Sequence, residues 1–222
     1  MSAVVDDTPV VRRTLLTSRA CADVVGRIDA LRPRWRERGR DFYSLGASVY
    51  LDVGPQRNLD GYAHRAAADN ELLAGEFPDL LESCRLALED ELNAPCTLAS
   101  GATALPGFHL FLARSLTGAA RDRLHLDLQF RHLGPATRLD TPTRTFTLPV
   151  ELPPAGGGIE FSRGGSGRPY IEREDYRLGE LFVHTGRTLH RRACYPGGNA
   201  GRRITLQGHA LAIEENRWLL YW

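Results

Sequence analysis

After Pro95 the chain becomes a succession of short apolar-rich runs broken by Gly and Pro. They are CTLAS (96–100), GFHLFLA (107–113), LHLDLQF (124–130), TFTLPVEL (145–152), GIEFS (158–162), ELFVHT (180–185) and ITLQGHALAI (204–213). Globular helices need longer periodic stretches than these, whereas runs this short between turn signals have the length and composition of strands. A series of them in one stretch predicts a β-sandwich or barrel. PPAGGG (153–158) predicts a turn and SRGGSGRP (162–169) a flexible loop.

The first part of the chain has a different period. Residues 17–38 carry Cys21, Val24, Val25, Ile28 and Leu31 roughly on one helical face, with Ser18 as a candidate N-cap and Pro33 as a kink or stop. Residues 58–92 read as helix interrupted near Pro78, with an apolar stripe through Leu80, Leu81, Cys84, Leu86, Leu88 and Leu92, while FYSLGASVYLDV (42–53) has the content of a strand. The expectation is one domain over 1–222: a mainly helical N-terminal layer (1–94) packed on a β core (95–222) that carries the chemistry.

Composition removes several classes. All 28 basic residues are arginines, so a lysine Schiff base and most pyridoxal phosphate chemistry are excluded. The net charge of +1 gives no electrostatic reason to expect a nucleic-acid or membrane partner. The cysteines (Cys21, Cys84, Cys96, Cys194) lack C-x-x-C spacing and suggest free thiols in a reducing compartment. No run has the length of a membrane span or the apolar core of a signal peptide, so a cytoplasmic location is expected.

Within LHLDLQF the alternation is strict: Leu124, Leu126, Leu128 and Phe130 are apolar, and His125, Asp127 and Gln129 are polar. On a strand this puts a histidine, a carboxylate and an amide on one face, with His125 and Asp127 close enough to share one metal ion. The leucines then need a cover, which the N-terminal helices can supply. An H-x-D pair alone also fits an ordinary surface contact; GELFVHTGRTLHRR adds His184 and His190 as candidates for a third ligand. Two histidines and a carboxylate leave three positions of an octahedral ion open, enough for a chelating 2-oxo acid and O2. Arg203 and Thr205, two apart in GRRITLQG, offer a guanidinium fork and a hydroxyl for the far carboxylate of such a co-substrate. Gln129 could bond the co-substrate or an iron ligand, and is equally compatible with a polar wall residue.

In its motifs the chain resembles the Fe(II)/2-oxoglutarate-dependent dioxygenase superfamily, in particular its prolyl-hydroxylase-like branch. The resemblance spans roughly residues 105–213 and rests on His125-Leu126-Asp127, LPVELPPAGGGIEF, GELFVHTGRTLH and GRRITLQG, in the family's order. It implies a double-stranded β-helix, a cupin-like jelly roll covered by the N-terminal helices. It also implies His125, Asp127 and His190 as iron ligands, with His184 structural or pocket-lining, and Arg203 with Thr205 as the 2-oxoglutarate clamp. The family position of an assisting tyrosine falls near Phe111, which has no hydroxyl. Asp127 occupies the coordination position that chloride would need in a halogenating relative.

The implied reaction is oxidative decarboxylation of 2-oxoglutarate with Fe(II) and O2, coupled to hydroxylation or another oxidation of an unactivated C–H bond. A small molecule is the expected substrate, amino-acid-derived or a specialised metabolite. A peptide or protein side-chain hydroxylase is one alternative, and a metal-binding cupin-like protein without redox chemistry is the other. Residues 131–144 and 162–176 are the expected mobile cover. His64, His109, His132 and His209 are expected to be structural, and Arg202, facing opposite to Arg203, a solvated charge.

Overall fold

The computed structural model describes residues 10–39, 41–53, 58–112, 116, 123–133, 140–164, 168–193, 201–214 and 216–222. In chain order these form β1 (Val11–Thr14), α1 (Ser18–Ala30), β2 (Arg36–Gly39), β3 (Phe42–Leu45), α2 (Val49–Asp52), α3 (Leu59–Glu76), α4 (Pro78–Leu92), β4 (Cys96–Leu98) and β5 (Gly107–Phe111). There follow β6 (Thr143–Glu151), β7 (Gly158–Arg163), β8 (Tyr170–Asp175), β9 (Glu180–His184), β10 (His190–Arg192), β11 (Arg203–Glu214) and β12 (Arg217–Tyr221). One sheet runs β1-β9-β6-β11-β5-β3-β2, with β12 and β4 attached beside β11; a smaller sheet runs β10-β7-β8. The two sheets enclose a cavity between them. The protein is mainly β with flanking helices, a jelly roll as expected.

Alternation along the central strands explains why the helices cover one side. On β5, Phe108 and Leu110 are fully buried away from the cavity, while His109 and Phe111 line it. β6 divides Phe146, Leu148 and Val150 from Thr145 and Thr147 in the same way, and β11 divides Ile204, Leu206 and Ala210 from Arg203, Gln207 and His209. The apolar set joins Val24 and Ile28 of α1 and Leu80, Leu81, Cys84 and Leu88 of α4 in one core cluster. Each such side chain contributes about 1.5–3 kcal/mol by leaving water, so the strand register is strongly specified. Arg202 points to this outer side, where it pairs with Asp29 of α1 and Glu151 of β6 (2.6 Å each) and ties the helix to the sheet. It is an anchor and not the solvated charge expected.

Other expectations change in detail. The cap of α1 is Thr17, whose hydroxyl accepts from Ala20 N–H, and Pro33 lies in a 3-10 turn (Arg32–Arg34) after the helix ends. The helical stretch 58–92 does break at Pro78, the first residue of α4. The expected strand 42–53 stops at Leu45, because Gly46 adopts a positive φ (106°) and the chain then winds into α2. The 1–94 stretch contributes three strands to the large sheet as well as the helices.

LHLDLQF is not a strand. It makes one isolated bridge, His125 to His190, and then turns into a 3-10 segment, Gln129–His132. Leu128 and Phe130 are drawn into a second core cluster with Val49, Val53, Tyr62 and Ala66 of α2, α3 and the turn between them. Leu126 stays exposed. Of the expected cover, residues 170–175 form edge strand β8, whereas 134–139 and 165–167 lie outside the described residues. Cys21, Cys84 and Cys96 are buried free thiols; Cys194 lies outside the described residues. No helix among the described residues is long and apolar enough to cross a membrane.

Candidate metal centre and co-substrate cavity

The cavity has a volume of ≈ 340 Å³, within the size range of small-molecule sites. At one side His125 and His190 form a mutually hydrogen-bonded antiparallel pair: His125 N–H donates to His190 O (2.9 Å) and His190 N–H to His125 O (3.0 Å). Directly opposed residues project to the same side, and the two rings stand 4.5 Å apart between centroids. Asp127 is held by its own N–H, which donates to Gly186 O (2.7 Å) in the turn before β10.

Both imidazoles are oriented by their second nitrogen. His125 Nδ1 lies 3.0 Å from Arg123 O and His190 Nδ1 2.8 Å from Thr188 O; a carbonyl can only accept, so each Nδ1 carries the proton. Each Nε2 faces Asp127, at 3.8 Å from Oδ1 for His125 and 3.3 Å from Oδ2 for His190. In the metal-free protein His190 Nε2 can donate its proton to that carboxylate, and without the proton it is free to bind an ion. The three potential ligand atoms lie within 4.8 Å of one another. This is a donor set suited to a divalent ion, with the tautomers fixed as metal-ligating histidines require.

The electrostatics agree. Burial alone would raise the Asp127 carboxyl, but the charge and hydrogen bond of His190 hold it well below the usual carboxylate range. For His190 burial opposes the charged form, and Asp127 outweighs it, so its pKa is raised. His184 behaves differently: burial, with the neighbouring His190 charge, pushes it down to about 3. Its Nδ1 bonds Thr185 O and its ring packs edge-on against His190 (4.9 Å) and Phe161 (5.3 Å). His184 lines the cavity but is outside the three-residue group.

Arg203 opens the opposite wall. It is buried at the start of β11, opposite Phe111 on β5, and its guanidinium lies 4.6 Å over that ring. Its stem runs across Gly157, where a Cβ would come within 3.2 Å of Arg203 Cδ and 2.9 Å of Leu152 Cδ2. The glycine run therefore has a spatial role as well as a turn role. Thr205 shares the strand face but is fully buried and is not among the residues lining the cavity; its Oγ1 has no hydrogen-bond partner among the described residues. Gln129 lines the cavity and its amide bonds the ring of His209.

Among the wall residues that the sequence did not bring forward as site residues, Thr145, His209, Tyr176 and Tyr50 carry polar groups that bear on the site. Thr145 donates to Asp127 Oδ2 (2.6 Å), and His209 Nδ1 lies 3.1 Å from the same hydroxyl. Tyr176, just after β8, is buried beside Thr147 and Arg203; burial raises its pKa. Tyr50 of α2 hydrogen-bonds His109, whose pKa is lowered by burial and then by the charges of Arg203 and Arg38. Only the alternation of β6 and β11 hinted at Thr145 and His209; nothing in the linear sequence marked Tyr176 or Tyr50. His64 and His132 are not among the cavity-lining residues.

No protein-family model matches the chain, and no curated protein matches it. Solved structures do. An N-substituted L-amino acid dioxygenase from Burkholderia ambifaria, in complex with alpha-KG, superposes with TM-score 0.58 at 12% identity, covering 98% of this chain and 87% of its own. AviO1 from Streptomyces viridochromogenes gives 0.52 at 14%, covering 93% and 90%. HygX from Streptomyces hygroscopicus, with nickel, 2-oxoglutarate and hygromycin B bound, gives 0.52 at 14%, covering 92% and 83%. At these identities the similarity establishes a shared fold.

Proposed function

We propose that the protein is a non-heme Fe(II)/2-oxoglutarate-dependent oxygenase that oxidises an unactivated C–H bond of a small molecule. The observation that carries this reading is the convergence of His125 Nε2, His190 Nε2 and the Asp127 carboxylate in a cavity whose other wall presents buried Arg203. His125, Asp127 and His190 would hold Fe(II), leaving three positions open. Bound there with 2-oxoglutarate and O2, the metal would supply the oxidising power for C–H cleavage.

The remaining work falls to the chain. Arg203 would pair with the distal carboxylate of 2-oxoglutarate, held flat by Phe111 against it. Thr205 Oγ1, a buried hydroxyl without a partner among the described residues, would gain one from that carboxylate. Tyr176 brings a phenol to the same wall, which compensates for the missing hydroxyl at Phe111. Phe42, Phe111 and Ile159 line the cavity and would limit water around the reacting region once a substrate is bound. One fold neighbour is named as an N-substituted L-amino acid dioxygenase in complex with alpha-KG and another has 2-oxoglutarate and hygromycin B bound, which supports a small-molecule substrate here.

The test is to titrate anaerobic protein with Fe(II) and 2-oxoglutarate and then admit O2 with a panel of amino-acid-derived and specialised metabolites. One Fe(II) per chain, with one succinate per oxidised product in chloride-free buffer, is expected. Turnover without 2-oxoglutarate, or a chlorinated product, would overturn the reading. Metal binding without any 2-oxoglutarate binding would favour the non-redox cupin-like alternative.

A further inference from the structure

The metal-centre reading leaves unexplained why Gln129, His209 and Thr145 stand in a row that ends on Asp127. An ionised carboxylate can only accept, so the 2.6 Å contact from Thr145 uses the hydroxyl's single proton. The 3.1 Å contact between Thr145 Oγ1 and His209 Nδ1 must therefore be donated by the ring. A neutral imidazole protonated at Nδ1 has its acceptor at Nε2, and the amide nitrogen of Gln129 lies nearer that atom than Nδ1, which is 3.4 Å from it. The direction of each hydrogen bond follows from the Thr145 hydroxyl having a single proton, which it gives to Asp127. His209 is buried with its ring 5.4 Å from that of Tyr221, so the ring has little freedom to turn.

Gly186 makes the approach possible. A Cβ on it would lie 2.7 Å from Asp127 Cβ and 2.9 Å from Thr145 Oγ1, closer than real Cβ contacts come. Its carbonyl meanwhile accepts the Asp127 N–H. Asp127 is thus gripped at its backbone N–H and at Oδ2, although among the described residues its segment makes only one bridge with the sheets.

We propose that Gln129, His209 and Thr145 form a directional hydrogen-bond chain that positions the Asp127 carboxylate, with Gly186 as the residue whose missing side chain makes room for it. This rests on the metal-centre reading for its purpose and on the hydrogen-bond geometry for its existence. Thr145 and His209 are positioning residues: they act on the ion through Asp127. The chain does for a carboxylate in a loop what a paired strand would do by its ladder.

Two measurements test it. Nitrogen-15 NMR of the metal-free wild-type protein should show His209 as the Nδ1–H tautomer, and an Nε2–H tautomer would overturn the chain whatever the metal does. Calorimetric titration with Mn(II) should then show Thr145→Val weakened about 10- to 100-fold and Thr145→Ser restored to within about threefold of wild type. Equal affinity of wild type and Thr145→Val would overturn the positioning role. If the wild type itself binds no divalent ion while His209 has the Nδ1–H tautomer, the metal-centre reading fails and the hydrogen-bond chain stands without it. Should Thr145→Val not fold, Gln129→Leu, which removes the far donor, is expected to move the His209 resonances and lower Mn(II) affinity by a smaller factor. No change in either would refute the chain.

Discussion

Residues 124–130 and the first half of β11 carry the same alternation of apolar and polar side chains, yet only β11 is a strand. β11 lies mid-sheet, paired with β5 on one side and β6 on the other, and its apolar face meets α1 and α4. The 124–130 segment has one bridge and then turns so that Leu128 and Phe130 reach α2 and α3. Both nevertheless deliver polar side chains to the same cavity. Alternation decides which side chains travel together; whether a ladder forms depends on having partners at the edges. A segment without that ladder needs substitutes, and Gly186 O, Thr145 and His190 provide them.

The comparison is broken most severely at the bridge. His190→Ala removes both the bridge partner's side chain and one proposed ligand, and should abolish tight Mn(II) or Fe(II) binding in a calorimetric titration. His184→Ala, one strand away, should leave affinity within a few-fold; the reverse result would move the ligand role to His184. Next in size is the irregular segment's own anchor. Phe130→Ala empties a fully buried site and should cost about 3–5 kcal/mol in denaturant unfolding. Leu126→Ala, exposed four residues earlier, should change stability by less than about 0.5 kcal/mol.

On β11 the contrast is between neighbours. Arg203→Ala should weaken 2-oxoglutarate binding by about 2–5 kcal/mol, since the carboxylate would be left buried and unpaired; an affinity within twofold of wild type would refute the assignment. Arg202→Ala touches only partly exposed pairs on the opposite face and should cost about 1 kcal/mol of stability or less, with 2-oxoglutarate affinity unchanged.

The smallest effect is a pH dependence at the bridge. The folded pKa of His190 is raised above 6.5, so its protonation stabilises the metal-free protein below that value and the gain is lost as pH rises through the folded pKa. Asp127 is depressed, so its contribution is present above the unfolded carboxylate range and lost as pH falls through the folded pKa. Metal-free wild type should therefore lose part of its thermal-stability margin over His190→Gln between pH 6 and pH 8.5. In the same range proton competition at His190 fades, and divalent metal affinity should rise. A margin that grows with pH would contradict the His190–Asp127 pair.

Much of this was legible in the residues. The alternating runs after Pro95 specified the strands β5, β6, β7, β9 and β11 and which of their faces is apolar, because period 2 is a local property of extended chain. The order H-x-D, glycine run, distal histidine and R-x-T brought His125, Asp127, His190 and Arg203 forward as candidates before any contact was known. What the linear order did not contain is the set of partners. β1, β2 and β10 are strands of three or four residues with little apolar signal of their own, and they exist because a neighbour's edge offers hydrogen bonds to them. Thr145 and His209 lie 18 and 82 residues beyond Asp127 by sequence, and Tyr176 27 residues before Arg203; only the closing of the two sheets brings them to the cavity. The same closing turned 124–130 from an expected strand into a bridge and a turn. Local periodicity fixes orientation, whereas pairing and burial are set by residues distant in the chain, and these decided how Asp127 is held.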